Sequence, residues 1–263
     1  MSQENPYRPP ESAVSDPAGH LRAGATVAGG LAGEYRLEMG EVLGEAWRLT
    51  RGMKGSFWGA ALVVGLIAII VSVVLNFAGL LWAGSMEALE SSIVMQFGMQ
   101  VAINAVMAPF GAGLIMIGVR RAAGLPVSFD TAFAYLGLFL PLAVLMVLQS
   151  ILTGIGYLLL ILPGIYLAVA YTLALPLAAD RRFGSWQALE TSRRAITRHW
   201  FQVFVLLLVS WLILLLGILS VIGWIWAGPL LVNVHGILYR EIFGVHEAGA
   251  DGEEATVEGG MQA

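Results

Sequence analysis

The sequence predicts an all-α membrane protein: six transmembrane helices as three hairpins, with interfacial amphipathic helices on the cytoplasmic side. Three observations predict it. Hydrophobic residues make up 58% of the 263, with 32 glycines besides, and charged residues only 12%. A soluble domain carries roughly twice that charge. The charges fall between long charge-free windows, and those windows define a topology that puts all 14 basic residues on one side. Such a chain has too little polar surface to cover a water-soluble fold. A cytosolic enzyme is excluded as a description of the whole chain. So is a nucleic-acid binder, because the net charge is −4 and the basic residues form no footprint. There is no Cys, hence no disulfide, thiolate metal site or Cys nucleophile.

Residues 1–33 read as a disordered cytoplasmic tail. Asn5 to Pro10 breaks any helix, and Ala23 to Gly33 is a run of small residues without an apolar face. Met1 to Ser56 holds no uninterrupted apolar stretch, so no cleavable leader is expected. The membrane domain is 34–244. It opens with an amphipathic helix over Glu34 to Lys54. Met39, Val42, Leu43, Ala46, Thr50 and Met53 form one face, and Glu38, Glu41, Glu45, Arg48 and Arg51 the other.

The windows then give the crossings. Lys54 to Glu87 and Glu90 to Arg120 each hold one; Asp130 to Asp180 and Arg198 to Arg240 each hold two. A hydrocarbon core about 30 Å thick takes about 20 helical residues. The predicted spans are 57–83, 93–119, 134–157, 162–179, 200–218 and 221–239. Ser128 caps the lead-in to the third. Gly184, as a left-handed cap, ends the fourth. Ser185 caps a second amphipathic helix, with Trp186, Leu189, Ile196 and Trp200 as its apolar stripe and Glu190 four residues before Arg194. Gly217 and Gly223 flank the last turn. The acidic segment 245–263 is a second disordered cytoplasmic tail. Both termini are cytoplasmic in this topology. A single crossing over 200–239 is the alternative, and would move Arg240 and the tail outside.

The hairpins share features. Pro109 and Pro229 each lie eleven residues before an Arg, at Arg120 and Arg240. Each return ends in Arg then Gly: Arg121 and Gly124, Arg182 and Gly184, Arg240 and Gly244. This is a faint parallel threefold repeat. It competes with the chance recurrence of common residues.

The most specific string is Leu162-Pro163-Gly164-Ile165-Tyr166, followed by Asp180-Arg181, Trp186 to Arg193, and His199-Trp200. It resembles a set of uncharacterised bacterial inner-membrane proteins. These are the YciC-like proteins and the membrane domain associated with glycerophosphodiester phosphodiesterases. The resemblance implies a multi-helix membrane module in a bacterial inner (cytoplasmic) membrane. It implies no phosphodiesterase chemistry, which belongs to a separate soluble domain.

Several groups are candidates for function. Pro163 and Gly164 mark a structural helix break at which the fourth span starts, with Pro163 where a missing N–H costs least and Gly164 permitting close helix approach; the other reading is a broken helix whose freed backbone groups could bind an ion. Gln96, Gln100 and Asn104 form a polar face on the second crossing, read as interhelical hydrogen bonding or as a polar path. Arg181, Arg182, Arg193, Arg194 and Arg198 are candidate contacts for anionic lipid, and also serve as cytoplasmic anchors. Asp180, Glu190 and His199 lie near one interface without a recognised catalytic spacing. Asn233 and His235 do not share a helix face. The expected function is a non-catalytic membrane module that organises lipid or partner proteins. The alternative is a transporter or permease subunit for a neutral or lipid-like solute. No cofactor, metal or catalytic residue is expected. The expected partners are membrane lipids and other membrane proteins, not nucleic acid.

Overall fold

The computed structural model describes residues 25–246, apart from 221. The predicted tails over 1–24 and 247–263 lie outside the described residues. The chain within is helical, with no strand among the described residues. Its α-helices are α1 (Val27–Ala32), α2 (Met39–Leu49), α3 (Lys54–Ala83), α4 (Met86–Ser91), α5 (Ile93–Ala122), α6 (Phe139–Leu159), α7 (Ile161–Ala170), α8 (Ala174–Asp180), α9 (Ser185–Thr197), α10 (Trp200–Leu219) and α11 (Trp224–Phe243). Short 3-10 turns over Phe129–Phe133 and Leu136–Leu138 lead into α6.

Five segments are long and apolar enough to cross a membrane: Lys54–Ala83, Ile93–Ala122, Phe129–Leu159, Ile161–Asp180 and Trp200–Leu219. The chain is therefore a multi-pass membrane protein by the composition of its helices. The sixth predicted span corresponds to α11, which is not among the five. The reason is physical. α11 carries Asn233, His235, Arg240 and Glu241, and most of its residues from Ala227 onward are buried by other helices. A helix enclosed by protein can carry polar side chains, because its neighbours supply their partners.

α11 packs along α5, α10 and α2. Gly118 and Gly236 meet at the crossing with α5, and a Cβ at either would collide with the other helix's backbone. Small residues allow that approach. The first turn of α11 lies against the start of α3: Trp58 Nε1 donates to Ile225 O at 3.0 Å, and Lys54 Nζ stands 4.2 Å over the Trp226 ring. Its last turn meets Glu45 of α2 and Ala122 O of α5 through Arg240. Both ends of α11 thus touch the same end of the α3–α5 hairpin.

Two lead-in segments seat a fully buried small residue on the return limb of the preceding hairpin, and α2 seats one on the return limb of the last. Ala132 lies against Gly113 of α5, leaving no room for a Cβ there. Ser192 of α9 bonds the α7–α8 junction. Ala46 of α2 accepts a hydrogen bond from Asn233 Nδ2 of α11 at 3.2 Å. Gly113, Leu173 and Asn233 are evenly spaced along the chain, as are Gly124, Gly184 and Gly244.

Several local expectations change. The predicted tail ends in α1, whose Gly30 is buried against Ile242 of α11. Pro163 and Gly164 follow directly on the break between α6 and α7. They lie in the first turn of α7, where the missing N–H of Pro163 has no intrahelical acceptor to lose. The chain reverses at Leu160, which is extended. Gly164 is there for space, since a Cβ would strike the Tyr157 ring. The real interruption of the fourth span is at 171–173. Gly184 is not a left-handed cap (φ −60°); Arg182 takes the positive φ, at 55°. Ser185 does not cap α9, and its hydroxyl instead donates to Pro141 O at 2.8 Å. Ser128 does begin the lead-in to α6, its backbone N–H bonding Thr131 Oγ1 at 3.3 Å.

Candidate functional site

α9 is short and polar for a membrane protein, and its position fixes the site. Its buried face is Ala188, Leu189, Thr191, Ser192, Ala195 and Ile196, at helical three- and four-residue spacing. Leu189 and Ile196 belong to the predicted apolar stripe, but Trp186 does not: it is exposed. Small residues occupy the seam because α9 lies close against α6, α7 and α8. Ser192 Oγ donates to Ala170 O at 2.7 Å and accepts from Leu173 N at 3.2 Å. One hydroxyl thus serves backbone groups on both sides of the interrupted span. An ion is not needed to serve those two.

The opposite edge of α9 carries the charge. Glu190 takes Arg193 bidentately, from Nε at 2.9 Å and Nη2 at 2.7 Å, and takes Arg194 Nε at 2.6 Å. Arg193 holds the Glu190 carboxyl down at about 2, so it stays ionised through the physiological range. The same pairing raises Arg193 above its ordinary value. Thr197 Oγ1 donates to Arg193 O at 2.6 Å and lies 2.7 Å from Tyr166 Oη. Trp200 Nε1 donates to Tyr166 O at 3.2 Å.

The N-terminal segment closes the site from outside. Arg198 Nε donates to Leu31 O at 3.3 Å, and His199 Nε2 lies 3.0 Å from Gly33 O. Tyr35 packs edge-on against His199 and donates to Ala195 O at 2.9 Å; burial pushes its hydroxyl up to about 12. Between the two layers is a cleft of about 400 Å³ lined by Leu31, Arg193, Arg194, Thr197 and Arg198.

Three of the five predicted lipid-contact arginines therefore meet at one cleft. The other two lie elsewhere. Arg181 Nη2 donates to Phe243 O at 2.7 Å and pins the end of α11. Arg182 is exposed in the turn before α9. The Gln96, Gln100 and Asn104 face is partly assembled as a ladder. Gln100 Nε2 donates to Asn104 Oδ1 at 3.0 Å, and Asn104 Nδ2 reaches Ser150 Oγ of α6 at 3.4 Å. Gln96 is exposed. Asp180 and His199 do not converge. Asp180 accepts from Tyr239 Oη at 2.7 Å and His246 N at 3.0 Å, while His199 faces Gly33 and Tyr35.

The sequence reading missed two groups that matter. Ser192 was invisible because its neighbours on the helix, Thr191 and Arg193, made that stretch look solvated. Leu31 lay inside the predicted tail, and only the close approach of Gly33 to Arg198 brings it to the cleft. No family model matches the chain, and neither a curated protein nor a solved structure matches it.

Proposed function

We propose that this chain is a non-catalytic module of a bacterial inner membrane that holds anionic lipid at its cytoplasmic face. The reading takes α3 with α5, α6 with α7–α8, and α10 with α11 as three hairpins whose six limbs return both termini to the cytoplasm. α11 makes the last return inside protein. Its first turn lies beside Lys54 and Trp58, at the same end of the first hairpin that its last turn touches. The bacterial inner membrane is assigned from the resemblance of the 160–200 region.

The observation that carries the lipid reading is the cleft. Three guanidiniums and one apolar wall converge two residues before Trp200, the first residue of a candidate span. A headgroup phosphate fits guanidinium forks, and basic residues beside an anionic surface contribute about 1 kcal/mol each. Trp200, stacked on Phe204 at 5.0 Å, suits the interface just inside. Gln100, Asn104 and Ser150 use hydrogen bonds on one another, which supports a tether between α5 and α6 over a solute path.

The test is native mass spectrometry of the detergent-purified full chain with added phosphatidylglycerol and phosphatidylethanolamine. The wild type should retain the anionic lipid preferentially. The Arg193→Gln/Arg194→Gln/Arg198→Gln variant should lose that preference while keeping its thermal stability. A variant that retains as much anionic lipid as the wild type contradicts the proposal.

A further inference from the structure

Resting on that cleft, we infer that Glu190 is a built-in competitor that makes the site select a phosphate headgroup carrying two negative charges over one carrying a single charge. The carboxylate does not itself line the cleft, but it holds two of the guanidiniums that do. Its two oxygens span the side-on fork of Arg193, and one of them also takes Arg194. This is the bidentate geometry in which guanidinium recognises either carboxylate or phosphate.

Glu190 therefore satisfies the best-ordered donors before any ligand arrives. A newcomer has two routes. It can use what remains of Arg194 and Arg198, whose protein bonds run through Nε. Or it can displace the carboxylate from Arg193. Charge decides between them. Among the described residues three guanidiniums meet one carboxylate at the cleft, an excess of two positive charges. A phosphodiester with one charge leaves one of them unmatched and is a poor rival for a carboxylate held on three hydrogen bonds. A group with two charges neutralises the remainder. Two lipid chemistries supply that: a terminal phosphomonoester, and a headgroup with two linked phosphodiesters. A soluble phosphate ion supplies it too. The apolar Leu31 wall and the neighbouring Trp200 favour the lipids.

The same logic makes the negative element visible. Specificity requires something that rejects the wrong ligand as well as something that attracts the right one. Glu190 rejects by occupying the fork. Replacing it with Gln keeps the shape and some hydrogen bonding but removes the charge that a weaker anion cannot overcome.

The experiment compares the full-length wild type, Glu190→Gln and a charge-matched control, Glu41→Gln, on α2 away from the cleft. Each is titrated by native mass spectrometry with phosphatidic acid, cardiolipin and phosphatidylglycerol, with and without millimolar inorganic phosphate. The wild type should bind phosphatidic acid or cardiolipin more tightly than phosphatidylglycerol. Glu190→Gln should bind phosphatidylglycerol about fivefold more tightly, the factor that one charge near such a surface supplies, and the ratio between lipids should collapse. Glu41→Gln should match the wild type. Weaker binding in Glu190→Gln, or an unchanged ratio, overturns the inference. So does complete displacement of lipid by inorganic phosphate, which would make the ligand soluble. A wild type with no preference for any anionic lipid would instead sink the parent reading of the cleft.

Discussion

Ser192 shows how much one small side chain can hold. The fourth span stops being helical at 171–173, which frees backbone groups at a depth where water is scarce. Its hydroxyl, fully buried on α9, bonds Ala170 O and Leu173 N together. Ser192→Ala would leave both unpaired. An unsatisfied buried group costs about 1–3 kcal/mol, and the variant should lose stability of that order in a denaturant titration of the detergent-solubilised protein. Wild-type stability would show that the junction is served by something else. The sequence puts Trp186 in the apolar stripe of α9 and gives Ser192 no place in it. Close helix approach reverses this: the seam accepts Ala, Ser and Thr, and the large ring is left outside. Leu189 and Ile196 were legible because they are both apolar and in register. Glu190 with Arg194 was legible because a four-residue spacing always juxtaposes its pair. The engagement of Arg193 by the same carboxylate follows from rotamer choice, which the spacing alone does not fix.

At the scale of elements, α11 is the keystone. It touches α1, α2, α3, α5 and α10. Its packing against α5 depends on Gly118 and Gly236, and its tie to α2 on Arg240. That guanidinium donates to Glu45 at 2.6 and 2.9 Å, to Glu241, and to Ala122 O at 2.6 Å, with its side chain only 8% exposed. Removing one partner of a buried ionic cluster costs about 3–5 kcal/mol, because the others are left unpaired. Arg240→Met should therefore destabilise by about that much, and adding Glu45→Gln should recover part of the loss. Additive losses in the double variant would show that the two charges do not act together. The sequence displayed Arg240 as a cytoplasmic anchor and Glu45 as the wet face of an amphipathic helix. Each reading was locally reasonable. Neither contained the other, because the two residues are joined only by the way α2 folds back on the last helix. The long limbs α3 and α5 are far easier to read, since each is thirty residues long and their apolar composition alone declares a span.

For the whole molecule, the burial pattern matches a body set in lipid. Large apolar side chains remain outside along α3, at the α6–α7 turn and at the end of α10, with Leu158 and Trp82 each more than 80% exposed. In water such a surface would be an aggregation site. In a bilayer it is the correct solvent contact. The first turn is different, because it carries Glu87 and Glu90; it belongs in water, while the turns at Leu160 and at 217–223 carry no charge. In the proposed topology α2, α9 and the basic cleft share one face.

The central claim is that this face is cytoplasmic and that the chain returns to it. Because the natural sequence lacks Cys, single cysteines report position directly. Ser85→Cys in the first turn and Ala263→Cys at the C-terminus can be treated with a membrane-impermeant maleimide on intact and on opened cells. The account predicts that Ser85→Cys reacts in intact cells with the outer barrier permeabilised, and that Ala263→Cys reacts only once the inner membrane is opened. Reaction of Ala263→Cys before that opening would put the tail outside and contradict the account.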